Sequence, residues 1–155
     1  MIQPNYTATI AVKQNPEEAF KAITNVAAWW GEDIEGSAYY QGDQFTIHFG
    51  ETFVIFKVTE SDPGKLLEWQ VTDCYLPWLA DKKEWNGTRP RFEITNENDQ
   101  TKIVFTHIGL APGIECYNDC IKGWDQYVKG SLLALINEGQ GLPQKKKKNP
   151  ELSSN

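Results

Sequence analysis

Residues 115–138, ECYNDCIKGWDQYVKGSLLALINE, decide the fold. Tyr117, Cys120, Ile121, Trp124, Tyr127, Val128, Leu132, Leu135 and Ile136 recur at steps of three and four, which draws an apolar stripe along one side of an α-helix. Lys122, Asp125, Gln126, Lys129 and Asn137 fall mostly on the other side. Glu115 and Asp119 occupy the first turn, where the helix dipole favours negative charge. Gly139 follows the last periodic residue and Pro143 lies just beyond, so the stop is marked. A helix of this length spans roughly 36 Å and needs a broad apolar partner. Gly123 and Gly130 lie inside it, each costing about 1 kcal/mol relative to alanine. Their spacing puts them on one face, for close packing of the backbone or for room beside a ligand.

The partner is supplied upstream as strands. Residues 6–14 alternate, with Tyr6, Ala8, Ile10 and Val12 sharing a face. Asn15-Pro16-Glu17-Glu18 starts a short helix as a cap, a first-turn proline and a capping box, with Ala19, Phe20 and Ile23 as its buried stripe. One further turn is expected over Val26–Trp30. Strands are then expected over 37–41, 44–49, 52–61, 66–73, 88–96 and 101–109, joined by short turns such as Asp62-Pro63-Gly64-Lys65. Strands that follow one another through tight turns form an antiparallel meander. One curved sheet wrapped around one helix buries both the stripe and the alternating faces. The expected class is therefore α+β, in the order β-α-α-β6-α, with a cavity where sheet and helix part.

The length fits one domain, expected over residues 1–143, with 144–155 as a disordered Lys-rich tail. Net charge is −6, and Lys145–Lys148 leave the rest of the chain more acidic still, a poor match for nucleic acid. No run is long enough to span a membrane, and no basic-then-apolar leader is visible, so a cytoplasmic location is expected. The three cysteines argue against a disulfide framework. Cys116 and Cys120, four apart on an unbroken helix, would hold their Cβ atoms too far apart to bridge. Buried thiols are expected instead. His48 and His107 fall at no zinc spacing, so no metal and no cofactor is expected.

Several stretches together resemble the START-like (SRPBCC) helix-grip superfamily. They are NPEEAFKAITN at 15–25, WWGEDIEG at 29–36 with the following GDQF, KVTESDPGKLLEWQV at 57–71, TRPRFEITNENDQTKIVFTHIGL at 88–110 and CYNDCIKGWDQYVKGSLLALI at 116–136. The chain is most similar to the subgroup named after the C-terminal domain of the activator of Hsp90 ATPase. The resemblance covers roughly residues 5–143. It implies the helix-grip fold but no single activity, because the superfamily includes ligand carriers, cyclases, hydroxylase domains and co-chaperone modules. The Hsp90 activators carry a further N-terminal domain, so a chaperone contact ranks below ligand binding here.

Candidate site residues follow from the faces. Ile103, Phe105 and His107 share a side of their strand, so if Phe105 faces the helix a histidine sits near the cavity end, either hydrogen-bonded to backbone or a carboxylate or able to fix a polar atom or act as acid or base. His48 is expected outside. The ligand-binding candidates are Trp30, Trp69, Trp78, Phe105, His107, Tyr117, Trp124 and Tyr127, whose flat side chains suit an aromatic or sterol-like guest. The irregular interval 74–87, with Tyr75, Trp78 and Trp85, reads as a binding loop or a cover over the sheet end. Arg89 and Arg91 are the only arginines, suited to clamping a carboxylate or to an outer-face charge ladder with Glu68 and Glu93. No phosphate loop, nucleophile elbow or zinc motif occurs, so catalysis has no positive sequence support. The expected function is binding of a small apolar or aromatic molecule. The alternatives are a cyclase- or aromatase-like enzyme using His107 with Asp73 or Tyr117, and an interaction module engaging a chaperone or a second copy of the chain.

Overall fold

The computed structural model describes residues 6–77, 79–80, 82–97, 99–109 and 117–143, with side chains at all of these except 117–119. The expectations for Trp78, Cys116 and the tail 144–155 lie outside the described residues, as does the side chain of Tyr117.

The strands are β1 (Tyr6–Val12), β2 (Ile34–Gly36), β3 (Gln44–Phe49), β4 (Thr52–Asp62), β5 (Leu66–Tyr75), β6 (Arg89–Glu97) and β7 (Gln100–Ile108). They form one antiparallel sheet in the order β1-β7-β6-β5-β4-β3-β2. The meander runs from β2 to β7, and β1 closes on β7, with Ala8 opposite Phe105 and Tyr6 opposite His107. The alternation read from the sequence sets the faces: β1 is buried at Tyr6, Ala8, Ile10 and Val12 and exposed between them. Two register shifts between β4 and β5, at Ile55/Phe56 and Val58/Glu60, insert bulges. Bulges bend and twist a sheet, which helps curl this one over its contents.

Helix α1 (Pro16–Thr24) starts where expected. Asn15 Oδ1 accepts from the Glu18 amide at 2.8 Å, and Ala19, Phe20 and Ile23 are buried. The Glu18 carboxylate lies 3.6 Å from Lys21 Nζ. A 3-10 turn at Val26–Ala28 delivers Trp29 and Trp30 to the core. Gly31 is required by the close approach that follows: a Cβ there would lie 2.9 Å from both Ile47 Cδ1 and Phe49 Cε1.

The expected strand over 37–41 is corrected. The strand is Ile34–Gly36, and residues 37–43 form a turn pinned by Asp43, whose Oδ2 accepts from Ser37 Oγ at 2.8 Å and the Tyr40 amide at 2.9 Å. These bonds hold the Asp43 carboxyl below its usual pKa. Side-chain oxygens offering the backbone a turn outcompete a weak strand preference.

The C-terminal rod is helical from Tyr117 to Glu138 but not uniformly α. Helix α2 (Tyr117–Trp124) passes into a π-helical stretch (Asp125–Leu132) and returns to α in α3 (Leu133–Glu138). Trp124, Val128, Leu132 and Ile136 face inward, as the apolar periodicity predicted. Gly139 caps the end in the left-handed region with φ 86°. Among the described residues a Cβ at Gly123 or Gly130 would meet nothing within 4 Å, against the close packing expected of the two inner glycines. Gly130 instead lies in the π stretch, where its permissive backbone suits the wide turns.

Candidate functional site

The concave face of the sheet carries a continuous set of rings. Trp30 is at its centre, with ring centroids 4.8 Å from Trp124, 5.7 Å from Phe56, 5.8 Å from Phe49 and 6.3 Å from Trp69. The Trp30 and Trp69 planes are parallel to within 1°. Phe45 and Phe92 meet Trp69 edge-on at 4.9 and 5.1 Å, and Phe105 lies 4.6 Å from Trp124. Aromatic pairs of this kind contribute about 0.5–1.5 kcal/mol each beyond the area they bury. Four of the predicted ligand-binding residues, Trp30, Trp69, Phe105 and Trp124, are brought together here. They pack against one another between sheet and helix.

His107 is at the end of this set, buried on the inner face of β7. Trp124 Nε1 donates to His107 Nδ1 at 3.0 Å, so the ring proton sits on Nε2 and points at Thr88 Oγ1, 2.9 Å away. The Thr88 hydroxyl donates onward to the Trp85 carbonyl at 2.7 Å. The Trp85 ring stands edge-on to the imidazole at 4.7 Å. Burial lowers the His107 pKa to about 3, so the ring is neutral at ordinary pH. Both nitrogens are used within the protein. Asp73, named with His107 as a helper, lies elsewhere: its carboxylate takes Lys83 Nζ at 2.8 Å on the exposed side, which lowers its pKa.

Tyr127 is half-buried in the π stretch, and burial raises its phenol pKa. His48 is on the outer face, half-exposed, 3.9 Å from Glu35. The sequence reading missed Thr88 and Ser131. Thr88 stands two residues before Pro90, which lies opposite His107; only the hairpin register, invisible in composition, gives that proximity. Ser131 is buried in the π stretch, donating to the Trp29 carbonyl at 2.7 Å and accepting from the Leu142 amide at 2.6 Å. It ties the helix to the turn that carries Trp29 and Trp30.

The arginines are on the outer face. Arg91 Nη1 lies 2.8 Å from Glu68 Oε1, Arg89 Nη1 lies 3.8 Å from Glu68 Oε2, and Arg91 Nε lies 3.3 Å from Glu93. Thr59 Oγ1 donates to Glu68 Oε2 at 2.9 Å. The ladder is less exposed than expected, because the Glu68 side chain is only 5% accessible beneath it. A surface groove lined by Gln41, Gly42, Lys57, Val58 and Thr59 contains none of the predicted site residues.

The expectation of three thiols is corrected. Cys74 is a buried free thiol, but Cys120 is disulfide-bonded. Among the described residues no three His, Cys, Asp or Glu converge as a metal site, and no helix is long and apolar enough to cross a membrane.

A seven-stranded curved antiparallel sheet gripping a C-terminal helix is the helix-grip fold, as the resemblance implied. The chain is similar to the Aha1 dimer from Colwellia psychrerythraea, with a TM-score of 0.73 and 26% identity over 91% of this chain and 100% of that one. DynU16, from the dynemicin biosynthetic locus, superposes with a TM-score of 0.64 and 17% identity, covering 90% of this chain and 49% of its own. CalU16 from Micromonospora echinospora gives 0.60 and 13%, over 84% and 73%. At these identities the last two speak for the fold alone. No family model and no curated protein matches the chain.

Proposed function

We propose that the chain is a binding domain for a small apolar or aromatic molecule, held between the sheet and the C-terminal helix. One observation carries this reading. The indole N–H of Trp69 is fully buried among the rings of the concave face and has no hydrogen-bond partner among the described residues. A buried donor left unpaired costs about 1–3 kcal/mol, and a guest bearing an acceptor would recover it. The rings that now occupy the space would part to admit the guest. The arrangement of His107 favours binding over acid–base chemistry, since neither nitrogen is free for a substrate. Titrating the intrinsic tryptophan fluorescence with lipids, sterols and neutral aromatics tests the reading. A saturable change with at least one class supports it; a flat response to all of them removes it.

The likeness to the Aha1 dimer favours a second reading, self-association with an interaction role that extends to a chaperone. Light scattering decides its first part: twice the chain mass at micromolar concentration supports it, and a single chain mass counts against it. The cytoplasmic location expected from the sequence belongs to the same proposal. The Cys120 disulfide tests it, because structural disulfides persist in oxidising compartments. Thiol labelling in intact cells that finds Cys120 reduced keeps the location; protection of that thiol argues for another compartment.

A further inference from the structure

The indoles of Trp29, Trp69 and Trp124, each packed against Trp30, are almost wholly buried, and two of them are satisfied by the protein. Trp29 Nε1 donates to the Ile23 carbonyl at 3.0 Å, and Trp124 Nε1 donates to His107 at 3.0 Å. Trp69 Nε1 has no such partner among the described residues. It lies on β5 with Trp30 parallel above it and Phe45, Phe56 and Phe92 around it. An N–H directed at a ring face recovers only a fraction of a full hydrogen bond.

The surroundings also limit the charge of any guest. Arg89 and Arg91 are committed to Glu68 and Glu93 on the opposite face of the sheet. His107 is neutral, with both nitrogens engaged. The other buried polar side chains on this side, Thr101 and Ser131, are held by the Gln14 carbonyl and by Trp29 and Leu142. Among the described residues an anionic guest would exchange its water shell for one indole N–H and no cation, a loss of several kcal/mol. A neutral oxygen gives up far less. The flat, parallel faces of Trp30 and Trp69 suit a planar ring system.

We propose that the Trp69 indole N–H is the recognition donor of the site, and that the site takes a flat, uncharged molecule with a hydrogen-bond acceptor oxygen while rejecting the matching carboxylate. This rests on the ligand-binding reading above and adds a substrate class to it.

The test uses the isotope-labelled full chain and three probes of one shape: acetonaphthone, naphthoate and isopropylnaphthalene. The ketone is expected to move the Trp69 indole proton downfield and to bind roughly tenfold tighter than the hydrocarbon, the worth of about one hydrogen bond. Naphthoate is expected to bind more weakly than either. Trp69→Phe should bring ketone affinity down to that of the hydrocarbon. Should that variant fail to fold, the indole signal of the native chain decides alone. If ketone and hydrocarbon bind alike while the Trp69 proton stays put, or if naphthoate binds best, the donor role is overturned and the binding reading stands. Binding of none of the three, with a flat fluorescence panel as well, overturns both.

Discussion

The indole N–H of Trp124 donates to Nδ1 of His107 across 3.0 Å, joining the C-terminal helix to the last strand inside the core. That bond selects one tautomer and aims the other ring nitrogen at Thr88, which in turn holds the Trp85 carbonyl. Helix, strand β7 and the loop ahead of β6 meet through one neutral imidazole. Its chemistry makes it a structural pin in this state of the protein.

That pin makes stability depend on pH. The folded pKa of His107 is about 3, below its ordinary value of 6.5, so the unfolded chain binds the proton first. Stability is full above about pH 6.5 and falls as pH drops toward 3, with a loss of about 2 kcal/mol near pH 5. Asp43 and Asp73, both held below the usual carboxylate range, add to the loss only below about pH 4. Urea unfolding of the wild type and His107→Gln from pH 7 to pH 4.5 checks this. The variant should start less stable and show a flatter slope.

Ser131→Ala should destabilise the fold by about 1–3 kcal/mol, because it leaves the Trp29 carbonyl and the Leu142 amide without their shared partner. Thermal unfolding measures the loss. Ser131→Thr, which keeps the hydroxyl, should recover part of it if the buried site admits the extra methyl.

Arg91→Met should cost about 1–3 kcal/mol, more than a typical surface ion pair, because Glu68 is buried beneath it and would keep only Arg89, at 3.8 Å, for charge. Adding Glu68→Gln to Arg91→Met should restore stability relative to the single variant. A double-mutant cycle in urea reads both effects.

Gly123→Ala should stabilise the protein by about 0.5–1 kcal/mol, since its Cβ meets nothing within 4 Å among the described residues and alanine favours the helix. A lower melting temperature in this variant would show that the face is packed after all.

The fold was legible because its signals are local. Alternation at Tyr6–Val12, the cap at Asn15 and the three- and four-step stripe through Trp124 and Ile136 each name an element and its buried side. The strand expected at 37–41 failed because Asp43 organises a turn through its side chain, a preference that alternation does not record. The π stretch was also hidden, since its inward residues keep nearly the spacing of an α-helix. For the site, the inner-face positions of Trp69, Phe105 and His107 could be read from strand parity. The partners of His107 could not, because Thr88 and Trp124 reach it through sheet register and helix docking. Nor could the sequence distinguish which buried tryptophan lacks an acceptor. Trp29, Trp69 and Trp124 are equivalent as letters and differ only in what the fold places beside each Nε1.

The measurement that bears most directly on the binding site is native mass spectrometry of the freshly purified full chain. The account predicts a population heavier than the bare polypeptide by one small molecule, which is lost on gentle activation and is a neutral, oxygen-bearing compound. If only the bare mass appears, and neutral aromatic ketones at high concentration add nothing to it, the space between sheet and helix is a core and not a site.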